Sequence, residues 1–81
     1  NEIRLEKTNY LTDSVPSEIK VKIRSSGKLI NARHTRLTDN KSLINLMIPE
    51  PAVSPGQACV FYAEDPNGLR LLGGGWISST V

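Results

Sequence analysis

The chain has 81 residues, a formal net charge of +2, 38% apolar side chains and 22% charged ones. At about half of the ~150 residues typical of a domain it is expected to form one domain, too apolar for general disorder. A domain so small buries only roughly 60–65% of its unfolded surface, and no run reaches the ~18 apolar residues that a membrane helix needs.

Taken in chain order, the pattern reads as β throughout. Residues 3–11 suit a strand and 12–17 a polar connector. From Glu18 to Arg24 the alternation is strict, with Ile19, Val21 and Ile23 on one face and Lys20, Lys22 and Arg24 on the other. Period-two alternation with β-branched residues inside marks a half-buried strand. Ser25-Ser26-Gly27-Lys28 reads as a turn. A weaker strand over 29–37 puts Ile30, Ala32 and His34 on one side, and 38–41 is the next turn. The nearly continuous apolar run 43–48 is expected to be a strand buried on both faces.

Pro49 and Pro51 end that strand, because proline gives no N–H to a ladder. Pro55-Gly56 supplies a turn before the strand 58–63. Residues 64–68 form the next hairpin loop, with Gly68 suited to positive φ. The last strand, 69–77, is interrupted by Gly73-Gly74-Gly75, a pattern of barrel corners or of close approach by a backbone or ligand. Trp76 beside them is either core filler or an exposed stacking surface, and core is the expectation. The sum is an all-β fold, a small antiparallel β-barrel of about six strands resembling domain 2 of translation factors. Closure would remove edges that otherwise aggregate.

The charge is unevenly spread. Residues 20–41 hold seven Lys/Arg against Asp39 alone. That density suits a polyanion partner, nucleic acid ahead of a membrane surface, or else a solvated basic face. Enzyme readings fail on inventory. The single His, His34, stands beside Arg33 and Arg36, which disfavour an imidazolium, and reads as a strand residue or an RNA-facing donor rather than a base. The single Cys, Cys59, sits in an apolar strand, where a thiol behaves as a small hydrophobe. It allows neither an internal disulfide nor a multi-cysteine metal site, and a lone unbridged thiol fits a reducing, cytoplasmic setting. No metal site and no membrane contact are expected. The N-terminus shows no signal-peptide core, and without an initiator Met the chain is expected to be a fragment of a longer protein.

Two runs are more specific than any of this. One is Ser54-Pro55-Gly56-Gln57-Ala58-Cys59-Val60-Phe61-Tyr62, and the other is Leu72-Gly73-Gly74-Gly75-Trp76-Ile77. Together with Glu50-Pro51, Val21-Lys22-Ile23-Arg24 and Asn9-Tyr10-Leu11, they resemble, in order, the C-terminal region of the bacterial-type tRNA 2-thiouridylases. The resemblance implies a C-terminal β-barrel of a tRNA-uridine 2-sulfurtransferase, an enzyme that makes 2-thiouridine at the wobble position. ATP use, the two sulfur-handling cysteines and the sulfur-carrier partner would belong to the remaining domains. This domain would hold no catalytic residue and no cofactor of its own. It implies tRNA contacts at Arg24, Ser25 and Gln57. Many members carry an aromatic residue where Ser25 stands, so a stacking contact is not expected at that position.

The residues themselves are compatible with such a role. Lys20, Lys22 and Arg24 project from one strand face as a row spaced for phosphates, or as a solvated face; Lys28 adds charge beyond the turn. Gln57 follows a Pro-Gly turn that either aims its amide at a base edge or uses it to cap the turn's own backbone. Two other readings remain. A flavin-binding barrel of the ferredoxin-reductase kind shares the Pro-Gly-Gln turn but carries an Arg-x-Tyr-Ser strand absent here. A protein-interaction barrel would leave the basic stretch as solvated surface.

Overall fold

In the computed structural model, which describes residues 2–23, 27–51 and 53–80, every regular element is a strand. They are β1 (Glu2–Tyr10), β2 (Glu18–Ile23), β3 (Leu29–Thr38), β4 (Lys41–Leu46), β5 (Ala58–Asp65) and β6 (Gly68–Thr80). All neighbours are antiparallel, and the sheet closes in the order β1-β4-β3-β2-β5-β6, with β6 pairing back onto β1. The expected six-strand antiparallel barrel is therefore what the chain forms. Closure satisfies both edges of every strand, which a lone small sheet would leave open.

Alternation builds the core. Ile3 and Leu5, then Ile19, Val21 and Ile23, then Ile30 and Ala32, Ile44 and Leu46, Cys59 and Phe61, Leu72 and Ile77 point inward from successive strands. Phe61 is fully buried and is the largest side chain at the centre. At one end the filling turns polar. Tyr10, His34, Ser42 and Thr8 replace hydrocarbon there, and the connector carrying Val15 packs over the same core.

Three local expectations need correction. The run 43–48 is not a strand buried on both faces. β4 ends at Leu46 and alternates, with Ser42, Ile44 and Leu46 inward, while Met47 and Ile48 lie in the following loop and are exposed. Barrel curvature explains this: the outer face meets solvent, so only alternate positions are covered. The hairpin after β5 is tighter than expected, because β5 runs through Asp65 and the turn is Pro66-Asn67, with Gly68 at φ 121° as anticipated. Trp76 is not core. It lies on the outer face of β6 and is 49% exposed, because Leu72 and Ile77 take the inward positions of that strand.

The three glycines have a backbone cause. A Cβ on Gly73 would stand 2.2 Å from the Asn9 carbonyl oxygen, and one on Gly74 would stand 2.7 Å from that of Cys59. Gly73 also has φ 151° and sits at a register shift between β5 and β6. β6 is thus squeezed between β1 and β5 at the point where the barrel bends.

Candidate nucleic-acid interface

The Val21-Lys22-Ile23 segment and the Pro55-Gly56-Gln57 turn stand far apart in sequence, and the β2–β5 ladder brings them together. Ile23, which precedes Arg24 in the chain, pairs with Cys59, two residues after Gln57. Arg24 and Ser25 themselves lie outside the described residues. Gly27 follows them at φ 67°, and its N–H donates to the Ile23 carbonyl (3.2 Å). Lys28 is exposed beside it.

Gln57 closes the Pro55-Gly56 turn, with Gly56 at φ 93°. Its side-chain Oε1 accepts from the Ser54 backbone N–H at 2.9 Å, so the amide oxygen caps the turn. That contact leaves the donor end of the amide, Nε2, for other partners, and it fixes the side-chain rotamer. The Gln57 carbonyl also accepts from Ile77 N–H (2.8 Å), which ties the turn to β6.

Lys20 and Lys22 both project from the outer face of β2. Lys20 donates to Asn31 Oδ1 (2.8 Å) on β3. Lys22 is exposed and forms no ion pair among the described residues. Arg33, on the outer face of β3, lines the same groove as Lys20. Arg33 reaches Glu18 at 3.6 Å, and Arg36 reaches Asp39 at 3.9 Å while its guanidinium lies 4.4 Å over the Tyr10 ring. Exposed pairs of this kind contribute little to stability, but they dilute the basic field on that side.

His34 faces inward and is buried, so it is a core strand residue and not an RNA-facing donor. Its Nε2 lies 3.0 Å from Tyr10 Oη, which also bonds Ser42 Oγ, and Ser42 in turn donates to Thr8 Oγ1 (3.2 Å). With Ser42 donating to Thr8, Tyr10 donates to Ser42 and a neutral His34 donates from Nε2–H to Tyr10, so the chain of protons runs one way. Burial first, and the Arg36 cation second, hold the imidazole pKa below its ordinary value. Burial alone pushes the Cys59 thiol up to about 12, so it is no nucleophile at neutral pH. Among the described residues no three His, Cys, Asp or Glu side chains are grouped to hold a metal ion, and no helix is long and apolar enough to cross a membrane.

Sequence reasoning named the glycine run and Trp76 but not the groove they help to form on the outer surface of β1, β5 and β6. There Lys7, Asn9, Leu11, Val60, Leu71 and Trp76 line a groove of about 320 Å³ floored by the glycines. The glycine run was the available signal, since glycine on an outward position removes the side chain that would fill such a groove.

The structure is thus a small closed antiparallel β-barrel with the Pro-Gly-Gln turn leading into the strand beside the lysine-bearing β2. The profile of the family described as "Aminomethyltransferase beta-barrel domain" matches residues 1–77, and the chain belongs to that family. Among curated proteins, the tRNA-specific 2-thiouridylase MnmA of Dinoroseobacter shibae is 42% identical over 80 residues, covering 93% of this chain and 20% of that protein. The protein of the same name from Zymomonas mobilis is 45% identical over 77 residues, covering 95% of this chain and 18% of its own length. The one from Rickettsia felis is 39% identical over 84 residues, with 99% and 22% covered. The resemblance read from the motifs thus extends across the chain, which spans about a fifth of the length of these relatives.

Proposed function

We propose that this barrel is the tRNA-contacting C-terminal domain of a tRNA-uridine 2-sulfurtransferase that 2-thiolates the wobble uridine. Its work is positioning. It holds the tRNA while the remaining domains, using ATP and a sulfur-carrier partner in the cytoplasm, carry out the chemistry on a base drawn out of its stack.

The observation that supports this reading is that β2, which ends at Ile23, runs beside the strand that follows the Pro-Gly-Gln turn, with Ile23 paired to Cys59. A cationic strand edge grips phosphates and an oriented amide reads a base edge, so the pair combines registration with recognition. In this reading Arg24, Ser25 and Gln57 touch the tRNA, and Lys20, Lys22 and Lys28 add phosphate contacts.

Titration of the chain with tRNA at several salt concentrations tests it. Neutralising about three phosphates gives a log–log salt slope of roughly two to three. A flat salt response removes the phosphate contacts from the account. In the full-length enzyme, Arg24→Ala and Gln57→Ala are expected to lower thiolation with the fold intact, and parental rates in both would remove those site assignments.

A further inference from the structure

We propose that the groove outside β1, β5 and β6 is a slot for one unstacked RNA nucleobase, with the Trp76 indole as stacking surface and Lys7 as phosphate contact. The inference rests on the tRNA reading above and adds a site to it.

The ladder register places the parts. Lys22 pairs with Val60, Val60 with Gly74, and Gly74 with Asn9, so one row crosses β2, β5, β6 and β1 on the outer face. At about 4.8 Å per strand that row spans about 14 Å, with a cation at one end and an amide at the other. Gly74 leaves its middle bare. Trp76 is two residues along β6 on the same face, half exposed, and pairs with Ala58, the residue after Gln57. The groove therefore lies directly beside the glutamine turn.

Lys7 is there because of a distortion. Strict alternation after Ile3 and Leu5 would turn residue 7 into the core. Instead β1 bulges: Glu6 pairs with Trp76 and Asn9 with Gly74, so two residues of β1 oppose Gly75 alone. Lys7 takes φ 51°, the one positive φ of a non-glycine residue among those described, which turns it onto the groove and sends Thr8 inward. A left-handed lysine is strained where glycine or asparagine would be relaxed, and such strain concentrates at functional positions. Lys7 forms no ion pair among the described residues.

The occupant follows from the mixture. An aromatic face, a floor without side chains, an amide and flanking cations match a base with its phosphate, because every base offers a π-face and stacking tolerates any sequence. Glu6, exposed across from Trp76, suits a base N–H donor and keeps the phosphate toward the lysines. A hydrophobic protein partner would have no use for the two cations.

Trp76 is the only tryptophan of the chain, so its emission reports the slot alone. The 81-residue chain is titrated with an RNA stem-loop bearing an unpaired loop, and with the same stem as a continuous duplex. The stem-loop is expected to quench Trp76 emission and the duplex is not. Trp76→Ala is expected to weaken stem-loop binding about tenfold, with Trp76→Phe retaining most of it. Lys7→Ala is expected to lower the salt slope by about one. Far-ultraviolet circular dichroism checks that each variant is folded. Stem-loop binding that leaves the emission unchanged and survives Trp76→Ala would overturn the slot and leave the tRNA reading standing. Absence of any RNA binding would overturn both. An emission change driven by protein concentration alone would assign the groove to a second copy and overturn the slot.

Discussion

Residue identity at the polar end of the barrel sets a pH limit. His34 is held neutral by burial and by Arg36, so its pKa is lowered in the folded chain relative to about 6.5 unfolded. Between those values the unfolded chain binds the extra proton. The stabilising contribution is therefore complete above about pH 6.5 and is lost as pH falls below it towards the lowered value. Urea unfolding followed from pH 7.5 to 5 should show this slope, and His34→Gln should flatten it. Tyr10→Phe should cost about 1–3 kcal/mol, because it leaves His34 Nε2 and Ser42 Oγ without their shared partner. Equal stability of Tyr10→Phe and the parent would mean that the chain of hydroxyls contributes nothing. The residue scale is also where the sequence misled most. Nothing local distinguishes Trp76 from a core residue; its exposure depends on which neighbours β6 acquires. The inward face of His34, by contrast, was already set by its spacing from Ile30 and Ala32.

At the scale of the element, β6 is the demanding strand. Its glycines stand where the β1 and β5 backbones come too close for a side chain. Gly73→Ala meets the Asn9 carbonyl and also a φ that alanine seldom adopts, so a loss of about 2–3 kcal/mol is expected by chemical denaturation. For a domain whose whole stability is of order 4–12 kcal/mol, that is a large share. A variant as stable as the parent would show that the contact relaxes at no cost. Strand existence was legible because alternation and turn residues are local: Ile19, Val21 and Ile23 announce β2, and Gly68 announces the β5–β6 turn. The order of the strands was not legible. β1 with β4 and β2 with β5 are long-range pairings that no dipeptide encodes. The β1 bulge was hidden for the same reason, since it answers a glycine on a different strand.

For the whole molecule, closure converts a one-dimensional list of motifs into one surface. β2 and β5 lie side by side, so the cations and the Pro55-Gly56-Gln57 turn share a face, and β6 adds the groove next to it. β3 and β4 form the far side, where Leu43, Asn45 and Thr35 point outward. The basic stretch looked like a single field in the sequence. Folding keeps Lys20 and Arg33 on one groove but sets Arg33 and Arg36 against the carboxylates of Glu18 and Asp39. In the tRNA-contacting reading proposed above, Lys20 and Lys22 on the outer face of β2 register the RNA backbone. Backbone amide chemical-shift mapping of the chain with an anticodon stem-loop tests this most directly. The account predicts that shifts centre on Lys22, Gln57, Ala58 and Trp76. Shifts confined to the β3–β4 side, with those four residues unmoved, would contradict it.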